Sequence, residues 1–202
     1  MSRTSQGTTK TRNPAQHYIT FNGETGTFIY WDGTKNVMLE TLDLVAVDIV
    51  SSISGWSDVH NARIWSQYFK STKDVVNIKC GNKDLMTASY NVDKEKIKAA
   101  GGKFQSNVFA LADMNGEFVP VVLQLAGSSL SAWSTFVEEN KLNRVYQSLV
   151  SIRRGDQEKK GRVVYYKPQF TLEPLPEELK AQADEFDKTT LRPYLDNEDA
   201  AE

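Results

Sequence analysis

Over most of residues 17–172, apolar and polar side chains alternate in runs of five to ten positions bounded by turn-forming residues, which predicts strands rather than long helices. In residues 17–22, Ile19 and Phe21 take one side and Tyr18, Thr20 and Asn22 the other, as in a half-buried strand. Residues 27–40 hold two β-prone runs around Asp32-Gly33, a dipeptide suited to a tight hairpin. Residues 42–53 are rich in Val and Ile and predict a buried strand that turns at Ser54-Gly55. Residues 63–70, 75–80 and 85–90 are further short strands. Residues 103–112 and 117–125 form a strand pair around Asn115-Gly116, with Pro120 placing one partner at an edge or bulge. Residues 145–153 and 162–172 read as a long hairpin, joined by the polar loop 154–161 with a basic, exposed tip.

Two segments break this rhythm. Residues 93–100 have helical spacing and stop at Gly101-Gly102. A longer helix starts with Ser128 or Ser129 as N-cap, reaches Asn140, and aligns Leu130, Trp133, Phe136 and Val137 on one core-facing stripe. After Pro174-Leu175-Pro176, an amphipathic helix covers residues 177 to about 188. The pattern predicts a mainly β chain, a Greek-key barrel or sandwich with inserted helices and an additional hairpin, followed by an α-helical acidic C-terminal segment. Expected boundaries are a disordered basic arm at 1–16, a β-barrel domain at 17–172 and an acidic helix and tail at 173–202.

Composition narrows the setting. A chain of 202 residues suits one domain better than two. The single cysteine, Cys80, excludes a framework of intrachain disulfides and favours a reducing, intracellular location. No run approaches the roughly 18 apolar residues of a membrane-spanning helix. Residues 1–14 carry three bases and no acid, and lack the apolar segment of a signal peptide.

Charge is unevenly spread. Residues 1–170 hold 21 basic against 16 acidic side chains, and residues 171–202 hold 3 against 10. A basic body with an acidic tail suits a polyanionic partner, and the tail is expected to compete for the same groove.

Catalytic patterns are not found. His17 and His60 lie far apart, and Cys80 has no partner at metal-ligand spacing. Gly102-Lys103 runs into Phe104 and lacks the phosphate-loop pattern. No Gly-x-Ser-x-Gly elbow occurs. Asp43, Asp48 and Asp58 read as scattered acids, although they keep a metal-dependent nuclease or recombination factor as an alternative; a self-assembling virion protein is another. The expectation is a binding protein, not an enzyme, with no cofactor and no metal.

What the chain does offer is bases interleaved with aromatics. Arg63, Trp65, Tyr68 and Lys70 form one group; Lys103-Phe104 forms a second; Arg153, Tyr165 and Lys167 form a third on the long hairpin, with Lys79 nearby on a short strand. Single-stranded nucleic acid presents phosphates and flat bases in alternation, so cations and rings together suit it. These ten residues are the candidate DNA-binding set. Alternation further predicts Val164, Tyr166 and Phe170 facing the core, with Tyr165 and Lys167 outward beside Arg153.

Several motifs in this order resemble the bacteriophage single-stranded DNA-binding proteins of the OB-fold type. They are F-I-Y-W-D-G at 28–33, the Gly55-Trp56-Ser57-Asp58 turn before R-I-W-S-Q-Y-F, L-Q-L-A-G-S-S-L-S-A-W-S-T-F at 123–136, K-K-G-R-V-V-Y-Y-K-P-Q-F at 159–170, and the acidic end. The resemblance implies an OB-fold-like barrel that coats and protects single-stranded DNA without sequence preference during phage replication or recombination, in the cytoplasm of the infected bacterial host. It also implies phage or host replication proteins as partners of the acidic tail. The ending Asp-Ala-Ala-Glu departs from many such tails in lacking a terminal aromatic.

Overall fold

In the computed structural model, which describes residues 12–199 (side chains of 197–199 excepted), Asp32 builds the first hairpin. Its Oδ1 accepts the N–H groups of Thr34 and Lys35 and the Thr34 hydroxyl at 2.7–2.9 Å, while Gly33 supplies a φ of 102°. The Lys35 N–H and then the two Thr34 donors hold the carboxyl down at about 2. This turn joins β2 (Thr27–Trp31) to β3 (Asn36–Leu39), and β1 (His17–Asn22) precedes them.

Among the described residues, eleven strands form one mixed, open sheet. Its spine is β4 (Thr41–Ser57), 17 residues long, antiparallel to β8 (Gly102–Asp113) from Leu44 to Gly55. On its other edge β4 forks. Its start pairs with β10 (Leu149–Lys160), and its end pairs with β5 (Ala62–Ser66). From β5 the sheet continues through β6 (Val75–Cys80) to β7 (Lys83–Ser89). Beyond β8 lie β9 (Phe118–Ala126) and then β1, which is parallel to β9, with β2 and β3 at the far edge. β11 (Val163–Glu173) pairs only with β10.

Two apolar interiors form on the inner face. The larger gathers Ile19, Phe28, Leu42, Leu44, Val108, Leu123, Val150 and Ile152 under α2 (Ser128–Asn140), whose Trp133 and Phe136 pack on Phe170 as its stripe predicts. The smaller places Ile53, Ile64, Val76 and Ile78 under α1 (Tyr90–Ala99), which begins earlier than expected and ends before Gly101 at φ 96°. The short α3 (Leu142–Val145) leads into β10.

The C-terminal segment is a packed layer. α4 (Glu177–Phe186), a π-helical turn (Asp187–Leu191) and α5 (Arg192–Asp199) continue the predicted helix without a break and lie on the outer face of the spine. Leu179 and Ala183 cover Val45 and Leu111; Leu191, Tyr194 and Leu195 cover Val50, Phe109 and Val122. Each of these buried leucines contributes roughly 1.5–3 kcal/mol. Residues 200–202, the last of the expected tail, lie outside the described residues, as do residues 1–11 of the expected arm.

Several local expectations are corrected. Ser54-Gly55 is no turn: β4 runs through to Ser57, because Gly55 lets the Gly101 carbonyl approach its backbone where any Cβ would collide. Residues 154–161 are mostly strand, and the turn is confined to Gly161-Arg162. β5 stops at Ser66 rather than at residue 70. Pro120 sits in an interior strand; its carbonyl accepts the Gln16 N–H just before the β1 ladder starts, so its missing donor costs no strand pairing. α2 has Gly127 at its N-cap, and Ser129 instead bonds back to Ala126. Within the expected arm, Asn13 Nδ2 donates to the hydroxyls of Tyr68 and Tyr194, and Ala15 packs beside Val50, so that part of it is ordered.

Candidate functional site

Strand register brings four of the ten candidate residues together on one stretch of the outer face. Trp65 on β5 lies opposite Ser54 of β4 and Lys79 of β6, while Lys103 of β8 lies opposite Ser54 from the other side. Residues opposed in register share a face, so Trp65, Lys79 and Lys103 form one row across four strands. One step along, Arg63 opposes Trp56. Trp65 is 39% exposed and Trp56 52%. The Lys79 ammonium stands 5.6 Å from the Trp65 ring centroid, and the indole N–H donates to the Gly81 carbonyl at 2.9 Å, so the ring is held in a fixed pose. Asp84 approaches Lys79 at 3.8 Å, in an exposed pair that holds the lysine weakly.

The same face continues from Lys103 along β8 to Gln105 and Asn107, and across β9 to Gln124 and then Thr20 of β1. At the far edge it carries exposed Trp31 and Met38. It thus offers a cationic and aromatic end, an amide centre and an apolar end.

The other candidate residues lie elsewhere. Phe104, next to Lys103 in sequence, points to the opposite face and packs between Phe69 and Tyr90, so its expected place in an exposed group is corrected; adjacent residues of a strand cannot share a face. Tyr68 packs edge-on against Phe109 near the C-terminal layer. Lys70 is exposed beyond the end of β5, where its charge partly offsets the upward shift that burial imposes on the Asp48 carboxyl.

Arg153 is exposed on β10, opposite Gln169 and Thr41, at the other end of the spine from Trp65. Tyr165 and Lys167 meet each other through Glu158: the tyrosine hydroxyl donates to Glu158 Oε2 at 2.9 Å, and the Lys167 ammonium reaches the same oxygen at 2.8 Å. Lys167 first, and Tyr165 second, hold the Glu158 carboxyl below its usual range; Glu158 raises both partners in return. Val164 is 45% exposed rather than in the core, and Tyr166 lies under the Arg154 guanidinium, because both stand on the far half of the hairpin, beyond Val150–Arg153 where β10 pairs with β4.

The scattered aspartates stay scattered. Asp43 and Asp48 lie on β4, and Asp58 follows it in a turn. Burial raises the Asp48 carboxyl, helped by the nearby Asp187 and opposed by its own Ile49 N–H bond, Lys70 and Arg192. Among the described residues, no three His, Cys, Asp or Glu side chains gather closely enough to hold a metal ion, and no helix is long and apolar enough to cross a membrane.

Sequence reasoning passed over Trp56, Trp31, Gln105 and Gln124. Trp31 was readable by alternation from buried Tyr30. Trp56 was hidden by the false turn at Gly55, and the uncharged amides gave no signal. No family model matches the chain, and no curated protein or solved structure matches it either.

Proposed function

We propose that the protein binds single-stranded DNA without enzymatic turnover, using the open outer face in an OB-fold-like manner. One observation carries this reading: Trp65, Trp56, Lys79, Lys103 and Arg63 stand side by side on one uncovered stretch of sheet. Bases stack on the two indoles while the three cations track phosphates, which is the division of labour that an unpaired strand demands. The setting we infer is protection of DNA during phage replication or recombination, in the cytoplasm of an infected bacterium. The acidic terminus competes for the same cations, its competition favoured by tethering: Tyr194 and Leu195 pack on Val50 and Phe109, and Val50 pairs with Asn107, two positions before Ser52 pairs with Gln105.

The test is a low-salt mobility shift with single-stranded DNA, duplex DNA and RNA of equal length, joined to a tryptophan titration with oligo-dT. Expected are a shift of the single strand before the duplex and quenching that is lost in Trp65→Ala. No shift of single-stranded DNA at low salt ends this reading.

A further inference from the structure

The geometry points to a base-reading station in the middle of this face, built from Gln105, Asn107 and Gln124, that gives the bound strand a preference for adenine. The inference rests on the single-strand reading and adds selectivity to it. Asn107 is fully buried, yet it lies on the outer side of β8, between the apolar half of the face and Lys103. Its Nδ2 donates to Ser52 Oγ at 2.9 Å, and its Oδ1 faces the two glutamines. Gln105 Nε2 donates to that oxygen at 2.7 Å, and Gln124 Nε2 at 3.4 Å.

Both glutamine amides are thus tied to one side chain, Asn107. Each spends one N–H on Asn107 and keeps its Oε1 and second N–H, which make no other hydrogen bond among the described residues. Both side chains are only half-buried, so those groups stay within reach of a ligand on the face. An acceptor beside a donor on a planar amide matches the amino group and neighbouring ring nitrogen of adenine, the pairing for which Gln and Asn are best suited. Because the amides are held in place beforehand, little side-chain freedom remains to be lost on binding. A strand stacked on Trp65 with a phosphate at Lys103 carries its next bases over Gln105 and Gln124, since these residues follow one another at alternate positions of β8 and across to β9.

The experiment compares oligo-dT, oligo-dC and oligo-dT with interspersed dA, all of one length, on the full chain at fixed salt. A Gln105→Met/Gln124→Met double variant keeps side-chain length and removes the amides; its melting curve checks that it folds, and each single variant serves if it does not. Expected is about ten-fold tighter binding of the dA-containing strand than of oligo-dT, reduced to two-fold or less in the variant. Equal affinities in the unaltered protein, or a preference that survives the variant, overturn the station while leaving single-strand binding intact. Failure of every strand to bind overturns the single-strand reading, and the station falls with it.

Discussion

One sheet face, shared by β4, β8 and β9, is treated in two ways along its length. At one end Val45, Leu111, Val50, Phe109 and Val122 lie sealed under α4, the π-helical turn and α5. At the other, beyond buried Ser52 and Asn107, the half-exposed Ser54, Gln105 and Gln124 and the exposed Trp56 and Lys103 continue the same alternation. The same strands run through both halves, and the β4·β8 register shift between Ala46 and Asp48 lies inside the covered half, so strand pairing does not mark the boundary. Residue chemistry does. On these strands the outward aliphatic and phenyl positions are covered by the helices, Ser52 and Asn107 lie buried at the border, and beyond it the indole, the cations and the two glutamine amides reach solvent. In the open half the Trp65 ring is held by polar partners, Gly81 and Lys79, rather than by a covering layer.

The contrast is sharpest if the two halves are damaged separately. Phe109→Ala, beneath the helical layer, should cost about 3–5 kcal/mol of folding stability in a denaturant titration. A loss under 1 kcal/mol would mean that the layer does not hold this half. Trp65→Ala, in the open half, should do the reverse: about 1–3 kcal/mol of affinity for oligo-dT is lost, with stability changed by less than about 1 kcal/mol. If the melting transition moves as far as it does for Phe109→Ala, the open half is structural too. Removing one cation is a finer cut. Lys103→Gln should flatten the log-log salt dependence of binding by about 0.7, and an unaltered slope would take Lys103 off the phosphate track.

The smallest effect comes from the seam, where Asp48 meets the π-helical turn. Its folded-state carboxyl is raised above the unfolded value, so the folded protein binds the proton more readily, and stability falls as pH rises from the ordinary carboxylate range through the folded value. Asp48→Asn keeps an acceptor for the Ile49 N–H and removes the charge. At neutral pH the variant should melt slightly higher than the unaltered chain, with the gap closing below about pH 4. A gap that widens on acidification contradicts this account.

Much of the fold was legible because its causes are local. Asp32-Gly33 carries the whole chemistry of its turn, and the Leu130, Trp133, Phe136 and Val137 stripe contains its own instruction to face a core. Gly55 was misread because its reason is distant: a carbonyl 46 positions later, at Gly101, presses on it. The β1·β9 parallel pairing and the fork of β4 are likewise settled by partners far along the chain. At the site, charge and aromaticity marked Arg63, Trp65, Lys79 and Lys103, which the register then united. Adjacency misled for Phe104, which alternation sends inward. The acidic segment was legible as a helix, but not its target, since amphipathicity names a buried side without naming what buries it.

The order of assembly has a consequence for synthesis on the ribosome. The central strands are complete once residue 126 has emerged, yet the residues that shield Val50, Phe109 and Val122 are 191, 194 and 195. At ordinary rates of translation that interval lasts several seconds, during which a nascent sheet displays an aliphatic and phenyl surface to water or to neighbouring chains. Chaperone capture or self-association is therefore concentrated in that window, and a stop codon anywhere between residues 127 and 190 should yield an insoluble product rather than a shorter working one.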